Sequence, residues 1–457
     1  MNTPSIDEDR QQKAREYHRL RMLLSLSSMG IGALGVFILL FSGLGIWLAD
    51  LLRGLSWQPV SGWYPLQILV YFVILMLGYG IITFPISFYR DFVIVSSPKS
   101  ANSERGKVLP HRYGLSTQSL RGWLADLFKG LALGLVFECV AVELVYLLLA
   151  TQPDAWWLWV GLVMLLFSVV MANLAPVLIM PLFYKFTPLP EGELKQRLLA
   201  LAARAHTRVR GVFTMKMSDK TTAANAALMG LGHTRRIVIG DTMLDRYTPD
   251  EIEVVLAHEL GHHVHADIWK LIISQSILTL GGLYLVNLAL HWSVQTARIY
   301  TSMASPATIP FVLLLTAIFG LIIMPLSNSY SRRIEHQADE YALQTTRMVE
   351  AFKSMMTKLT DQNLSEIDPP TLVELLFHNH PSTRKRLQHA DEFAARSASQ
   401  TASRGDLQGR PPGASGDPEG RPYECNADMS AESFSPASST EPSGMPSSGS
   451  STPEAAH

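Results

Sequence analysis

Six apolar runs, each close to the ~20 residues that a helix needs to cross the ~30 Å hydrocarbon core of a bilayer, constrain this chain more than anything else in it. They occupy residues 23–49, 65–88, 131–150, 155–180, 268–290 and 309–326. A helix buried inside a soluble protein rarely runs so long with so little charge. The composition agrees, with 48% hydrophobic residues, 17% charged residues and a mean hydropathy of +0.16. The expected fold class is therefore predominantly α, a multi-pass α-helical membrane protein with about six transmembrane helices. The first run is too long for the apolar region of a signal peptide and lacks a convincing cleavage site, so it reads as a retained anchor.

Loop charges predict the orientation, because short cytoplasmic loops carry the excess of Lys and Arg. Arg10, Lys13, Arg15, Arg19 and Arg21 precede the first run, and Arg53 stands alone after it. Arg90, Lys99, Arg105, Lys107, Arg112, Arg121 and Lys129 separate the second run from the third, whereas residues 151–155 carry no base. Lys185 follows the fourth run, Arg332 and Arg333 follow the sixth, and Arg298 is alone between the fifth and sixth. The N-terminal segment 1–22, the loop 89–130, the region 184–267 and everything after 327 are thus predicted to be cytoplasmic. The membrane would be the plasma or inner membrane in a prokaryote and the endoplasmic reticulum in a eukaryote. A net charge of -1 gives no electrostatic case for nucleic acid. Cys139 and Cys425 are too few for a disulfide framework and read as unpaired.

The region 184–267 is too large for a loop. GELKQRLLALAARA has helical periodicity, VRGVFTMKM and RRIVIGDTML read as short strands, and Thr248 caps an acidic first turn ahead of EVVLAHELGHHVHAD. This predicts a small α+β insertion between the fourth and fifth spans. Residues 328–394 read as a further cytoplasmic helical region. From 395 to 457, Ser, Pro, Gly and charges dominate, and that tail is predicted to be disordered.

The chemistry sits in LAHELGHHVHADIWK, residues 256–270. Residues four apart share a helix face, so His258 and His262 can present two imidazole nitrogens to one point, with Glu259 beside them. This HExxH arrangement is that of zinc peptidases. His263 lies about 100° around the helix from His262, and His265 regains the face of His258 only a further turn along. Both are expected beside the site or at an interface, and a third ligand must come from elsewhere. In SRRIEHQADEYAL, just past the sixth run, Glu335 and Asp339 stand four apart on a predicted helix that returns to the side of His258. Glu335 can supply a carboxylate oxygen, and Asp339 can accept the second ring N–H of a ligating histidine and fix its tautomer. Two histidines and a glutamate leave zinc a fourth position for water, which is a catalytic set. One Zn2+ per chain is the expected cofactor, with Glu259 taking the proton of water and delivering it to the leaving amine, and peptide hydrolysis is the reaction class.

At these residues the sequence resembles the CAAX prenyl protease 1 family of integral-membrane zinc metalloproteases. PLFYKFTPLPEGEL at 181–194 resembles the stretch that follows a membrane helix in that family, and NAALMGLGHTRRIVIGDTML at 225–244 resembles its Asn-Ala segment and basic-Ile-Val strand. HELGH, EHQAD and HPSTRKRL at 380–387 then follow in the family's order. The resemblance implies a gluzincin-type site with zinc on His258, His262 and Glu335, Glu259 as general base and Asp339 behind the ligands. It implies that a strand carrying Asn225 and Ala226 lies beside the cleft, where an extended peptide adds to its edge and Asn225 contacts the substrate backbone. It also implies that His380 stands near the oxyanion, supported by Arg386. In the family, seven membrane helices enclose a water-filled chamber, so six runs imply one that is smaller or differently closed. Glu138, Glu143 and Asn173, at membrane depth, would suit a wet interior or would pair between helices.

The expected function is a membrane-embedded zinc endopeptidase acting at the cytoplasmic face on peptide or protein substrates, lipidated or not. The alternative is a heat-shock-type quality-control metalloprotease of the membrane, against which stand the two runs before residue 131 and HPSTRKRL. A non-catalytic zinc-binding scaffold would have no need of Glu259, and a transporter would place its ligands within the spans.

Overall fold

The computed structural model describes residues 7–53, 63–95, 113–230 and 232–408. Cys425 and the part of the predicted tail beyond 408 lie outside them. The chain opens with α1 (Glu8–Phe41) and a short α2 (Leu44–Leu51), followed by α3 (Pro65–Phe88), α4 (Leu120–Thr151) and α5 (Trp156–Leu174). An insertion follows, made of β1 (Phe186–Pro188), α6 (Glu193–Arg204), β2 (Val212–Met215), β3 (Ala226–Met229), β4 (Arg236–Gly240), α7 (Asp241–Leu244) and α8 (Pro249–Val264). The chain continues with α9 (Asp267–His291) and α10 (Ile309–Thr346), then α11 (Val349–Gln362), α12 (Thr371–Phe377) and α13 (Thr383–Gln408). Six helices among the described residues are long and apolar enough to cross a membrane, one for each expected run.

Four boundaries differ from the sequence expectation. The run 23–49 is not one helix, because α1 ends at Phe41 and Gly43 takes a left-handed φ of 79° before α2 restarts the chain. Residues 8–22 are not a separate segment but the first turns of α1, capped by the Asp7 carboxylate, which accepts the Asp9 and Arg10 N–H groups. These turns dock on the cytoplasm-predicted helical region, where Arg10 pairs with Asp361 at 2.7 Å and Gln11 accepts the Ile367 N–H at 3.0 Å. The third span begins at Leu120, capped by Ser119, because charges within RGWLADLFKG lower the hydropathy without breaking the helix. Residues 395–408 belong to α13 instead of to the tail. Ala390 and Phe393 anchor that helix in the core, and the Ala, Ser and Gln that follow cost little to keep helical.

The insertion folds as a four-stranded sheet of order β1-β2-β4-β3, with β2 and β4 parallel and the outer strands antiparallel to their neighbours. The sequence reading did not include β1. Apolar side chains from α6 (Leu198, Leu201), the sheet (Val212, Ile237, Ile239), α8 (Leu256, Leu260) and α11 (Phe352) form one core. Thr248 and Glu251 make a reciprocal capping box that starts α8. The packing of α8 on α10 sets the site: a β-carbon at Gly261 would lie 3.1 Å from Ala338 Cα, so the glycine lets the two backbones approach. Within the bundle, Glu143 accepts the Trp63 indole N–H at 3.0 Å, and Asn173 donates to the Val169 carbonyl one turn back at 3.1 Å. Cys139 is unpaired.

Candidate metal centre

The two halves of the centre come from α8 and α10. His258 and His262 sit one turn apart on α8, and Glu335 faces them from α10. His258 Nε2 lies 3.2 Å from His262 Nε2 and 3.3 Å from Glu335 Oε2, and His262 Nε2 lies 3.5 Å from Glu335 Oε1. Bonds of about 2.0–2.1 Å to a tetrahedral metal would set its donors about 3.3–3.4 Å apart, so three edges of such a tetrahedron already stand in place. Among the described residues this is the one His, Cys, Asp and Glu group of that kind.

Both imidazoles are fixed by carboxylates on their other nitrogen. His258 Nδ1 lies 2.9 Å from Asp339 Oδ1, as the spacing of Glu335 and Asp339 predicts. His262 Nδ1 lies 3.0 Å from Asp267 Oδ2, a contact absent from the sequence reading. Asp267 is the first residue of α9 and is buried, and Lys270 holds its second oxygen at 2.9 Å. Ala266 takes a left-handed φ of 56° between α8 and α9, and this turn brings Asp267 back over His262. Each N–H donated outward leaves Nε2 with a lone pair directed at the cluster. Burial alone would discharge His258, but the hydrogen bonds its ring donates to the Asp339 and Glu335 carboxylates outweigh burial and push its pKa up to about 9. A metal arriving here must therefore displace a proton.

The remaining residues fall around this core. Glu259 is half-buried on α8 and lines one crevice with Ala226 and Ala227 of β3, so the candidate base adjoins the candidate peptide-binding strand. β3 is an edge strand that begins at Ala226; Asn225 just precedes it, exposed, and its carbonyl accepts the Gly240 N–H at 2.9 Å. His380 follows α12 and sets Nδ1 2.8 Å from Glu335 Oε2. Arg386 reaches the site through Asp339, with Nε 2.7 Å from Oδ2, and so stands with that carboxylate behind the ligands. His265 packs edge-on against Tyr341 of α10, and His263 is half-buried, its pKa lowered by burial and by Arg235.

Residues 188–394 match the family model described as Peptidase family M48, and residues 3–97 and 106–185 match the model described as CAAX prenyl protease N-terminal, five membrane helices. An uncharacterized metalloprotease of Bacillus subtilis is 31% identical over 61% of the chain and 66% of its own length. A probable CAAX prenyl protease 1 of Schizosaccharomyces pombe is 30% identical over 62% of the chain and 60% of its own length. The chain thus spans less than two thirds of each of these two relatives. The crystal structure of S. mikatae Ste24p shares the fold, with a TM-score of 0.69 at 24% identity over 84% of this chain and 90% of that one. The two family models follow one another along nearly all of the described residues and meet where the membrane helices give way to the sheet and its metal centre, and the chain belongs to peptidase family M48 with the membrane region of the CAAX prenyl proteases.

Proposed function

We propose that this protein is a zinc-dependent endopeptidase of the membrane, holding one zinc per chain on His258, His262 and Glu335. The observation that carries the reading is the trio of donor separations, 3.2, 3.3 and 3.5 Å, with a carboxylate behind each imidazole. Bound there, zinc supplies Lewis acidity at the scissile carbonyl and at the attacking water. Glu259 contributes no donor to the cluster and is free to take the proton of the water and hand it to the leaving amine. The open edge of β3, with Asn225 and Ala226 at its start, binds the substrate backbone in extended form. With Nδ1–H of His380 donated to Glu335, Nε2 is the nitrogen left to face the oxyanion, and it donates there when the ring carries both protons.

The bases of 1–22, 89–130, 184–267 and 328 onward support a centre at the cytoplasmic face. The names of the relatives suggest as substrate a short C-terminal segment beside a lipidated cysteine. The bacterial relative, named only as a metalloprotease, keeps a second substrate class open, unmodified or damaged membrane proteins.

The test is metal content and peptidase activity of purified full-length protein in detergent, wild type and Glu259→Gln, on a farnesylated CAAX peptide and its unprenylated twin. Zinc in both proteins with cleavage by wild type alone is expected. A strong preference for the farnesylated peptide would favour the first substrate class, and equal rates the second. Absence of bound zinc from wild type after loading would overturn the assignment.

A further inference from the structure

Helix α12 leaves an apolar face uncovered. Leu372 and Leu375, one turn apart on one face, are 66% and 41% exposed. The opposite face is satisfied, because the buried Glu374 accepts the Ser382 N–H at 3.1 Å and the Lys385 ammonium at 2.7 Å. Two large apolar side chains side by side on so short a helix are poorly placed in water.

The depth at which α12 is held identifies what covers it. Its backbone is tied to α10 just past the membrane run: Asn328 Nδ2 donates to the Leu376 carbonyl at 2.6 Å, and Arg332 Nη1 donates to the Glu374 and His378 carbonyls at 3.0 and 2.6 Å. At 1.5 Å per residue, Asn328 and Arg332 stand about 3 Å and about 9 Å beyond residue 326, where the apolar run ends. The headgroup layer on each side of a bilayer is about 5–8 Å thick. The Asn328 bond places the Leu376 end of α12 within that layer and the Arg332 bonds lie at its outer edge, so α12 is held across the headgroup level, where amphipathic helices rest with their apolar face in the acyl boundary. Exposed Trp269, in the first turn of α9, and Tyr330 of α10 are aromatics of the kind that mark this level. Arg333 is exposed in a groove it shares with Arg332, Lys385, Glu374 and Glu392; Lys385 is paired with Glu374 and Arg332 with the α12 backbone, so Arg333 is the cation there placed for a lipid phosphate.

We infer that α12 is an interfacial membrane helix: Leu372 and Leu375 enter the headgroup–acyl boundary, and Arg333 meets the lipid phosphates. Because α12 runs directly into residues 378–380, the bilayer then holds the base of the loop that brings His380 to Glu335. The inference needs only the membrane spans and holds whether or not the centre hydrolyses peptides.

Site-directed spin labelling tests it on the full-length protein in nanodiscs of phosphatidylcholine and phosphatidylglycerol, with Cys139→Ala and Cys425→Ser as background. Labels are placed at Leu372→Cys and Leu375→Cys, with Arg208→Cys, exposed between α6 and β2, as the aqueous control. Collisions with oxygen are expected to exceed those with a water-soluble nickel chelate several-fold at both α12 positions and to fall below them at residue 208. If the α12 labels meet the nickel chelate as freely as the control does, the face lies in water, and if they meet neither reagent, protein covers it; either result overturns the inference. Two separate positions keep the test decisive if one variant expresses poorly.

Discussion

Replacing Asp267 by Asn removes a charge from the centre and the partner of the Lys270 ammonium, which is 40% exposed and can turn to water. The amide oxygen can still accept the His262 Nδ1–H across the 3.0 Å contact, and the side chain keeps its volume in a place that is 2% exposed. Carboxylates behind metal-bound histidines are worth 10–100-fold in metal affinity, about 1.4–2.7 kcal/mol. Since Asn keeps the hydrogen bond and loses only the charge that makes the imidazole more basic, the lower end applies, and zinc should bind about tenfold more weakly. Asp339→Asn provides the contrast. Asp339 is 1% exposed and faces Arg386, whose side chain is itself only 12% exposed, so neutralising it strands a buried guanidinium. Stranding a buried charge costs about 3–5 kcal/mol and acts on the fold as well as on the metal. The assay is zinc affinity by competition with a chromophoric chelator, paired with melting temperatures of the chelator-treated proteins in detergent. Asp267→Asn should lose affinity with little loss of melting temperature, and Asp339→Asn should lose both. Should Asp267→Asn bind zinc as tightly as wild type while melting normally, the contact does not orient His262 and the account of the centre is wrong.

Gly261→Ala places a methyl 3.1 Å from Ala338 Cα and 3.2 Å from Tyr341 Cβ, so α8 and α10 must part; overpacking of about 1–3 kcal/mol outweighs a helix-propensity gain of up to ~1, and both melting temperature and zinc affinity should fall. Glu251 supplies a pH signature: burial would raise its pKa, but Lys358, Ser354 and the Thr248 N–H outweigh burial and hold it below the ordinary range. A depressed folded pKa adds stability above the unfolded value of about 4.3 that is lost as pH falls through the folded value. The melting-temperature gap between wild type and Glu251→Gln should therefore be largest near neutral pH and close in acid. Asn363 accepts the Ala224 N–H at 2.8 Å and donates to the Ala224 carbonyl at 3.2 Å, pinning the residue before Asn225. If the edge of β3 takes the substrate, Asn363→Leu should raise KM several-fold with zinc content unchanged, whereas a purely structural role would lower zinc content and melting temperature together.

What could be read from the sequence was whatever a single period dictates. Membrane spans follow from runs of about twenty apolar residues, the pairing of His258 with His262 and of Glu335 with Asp339 follows from four-residue spacing, and the start of α8 follows from Thr248 and Glu251. Each is settled within one helix, and the membrane topology then needs only to bring two helices to one side. The misses sit where the chain changes direction. The break at Gly43 is a conformational choice inside an apolar run that hydropathy averages away. Strand β1 is three residues long and includes a proline, too short for alternation to register.

Asp267 is the instructive miss because it is only five residues from the ligand it supports. Helical periodicity puts a residue at i+5 about 140° away from i, so no regular helix would let it reach His262. It reaches because Ala266 takes a left-handed conformation, which costs a non-glycine residue roughly 1–2 kcal/mol and which nothing in HADIW announces. The strain is held by what the turn delivers: a buried carboxylate bonded at once to His262 and to Lys270, at the seam where the metal-binding helix becomes a membrane helix. Substituting Gly at 266 relieves that strain while keeping the turn. It should leave zinc affinity unchanged or slightly improved, whereas Ala266→Val, which resists the left-handed region more strongly, should weaken zinc binding in step with Asp267→Asn. Equal zinc affinity in Ala266→Val and wild type would mean that Asp267 reaches His262 without the turn, and that the strain at Ala266 serves something other than the centre.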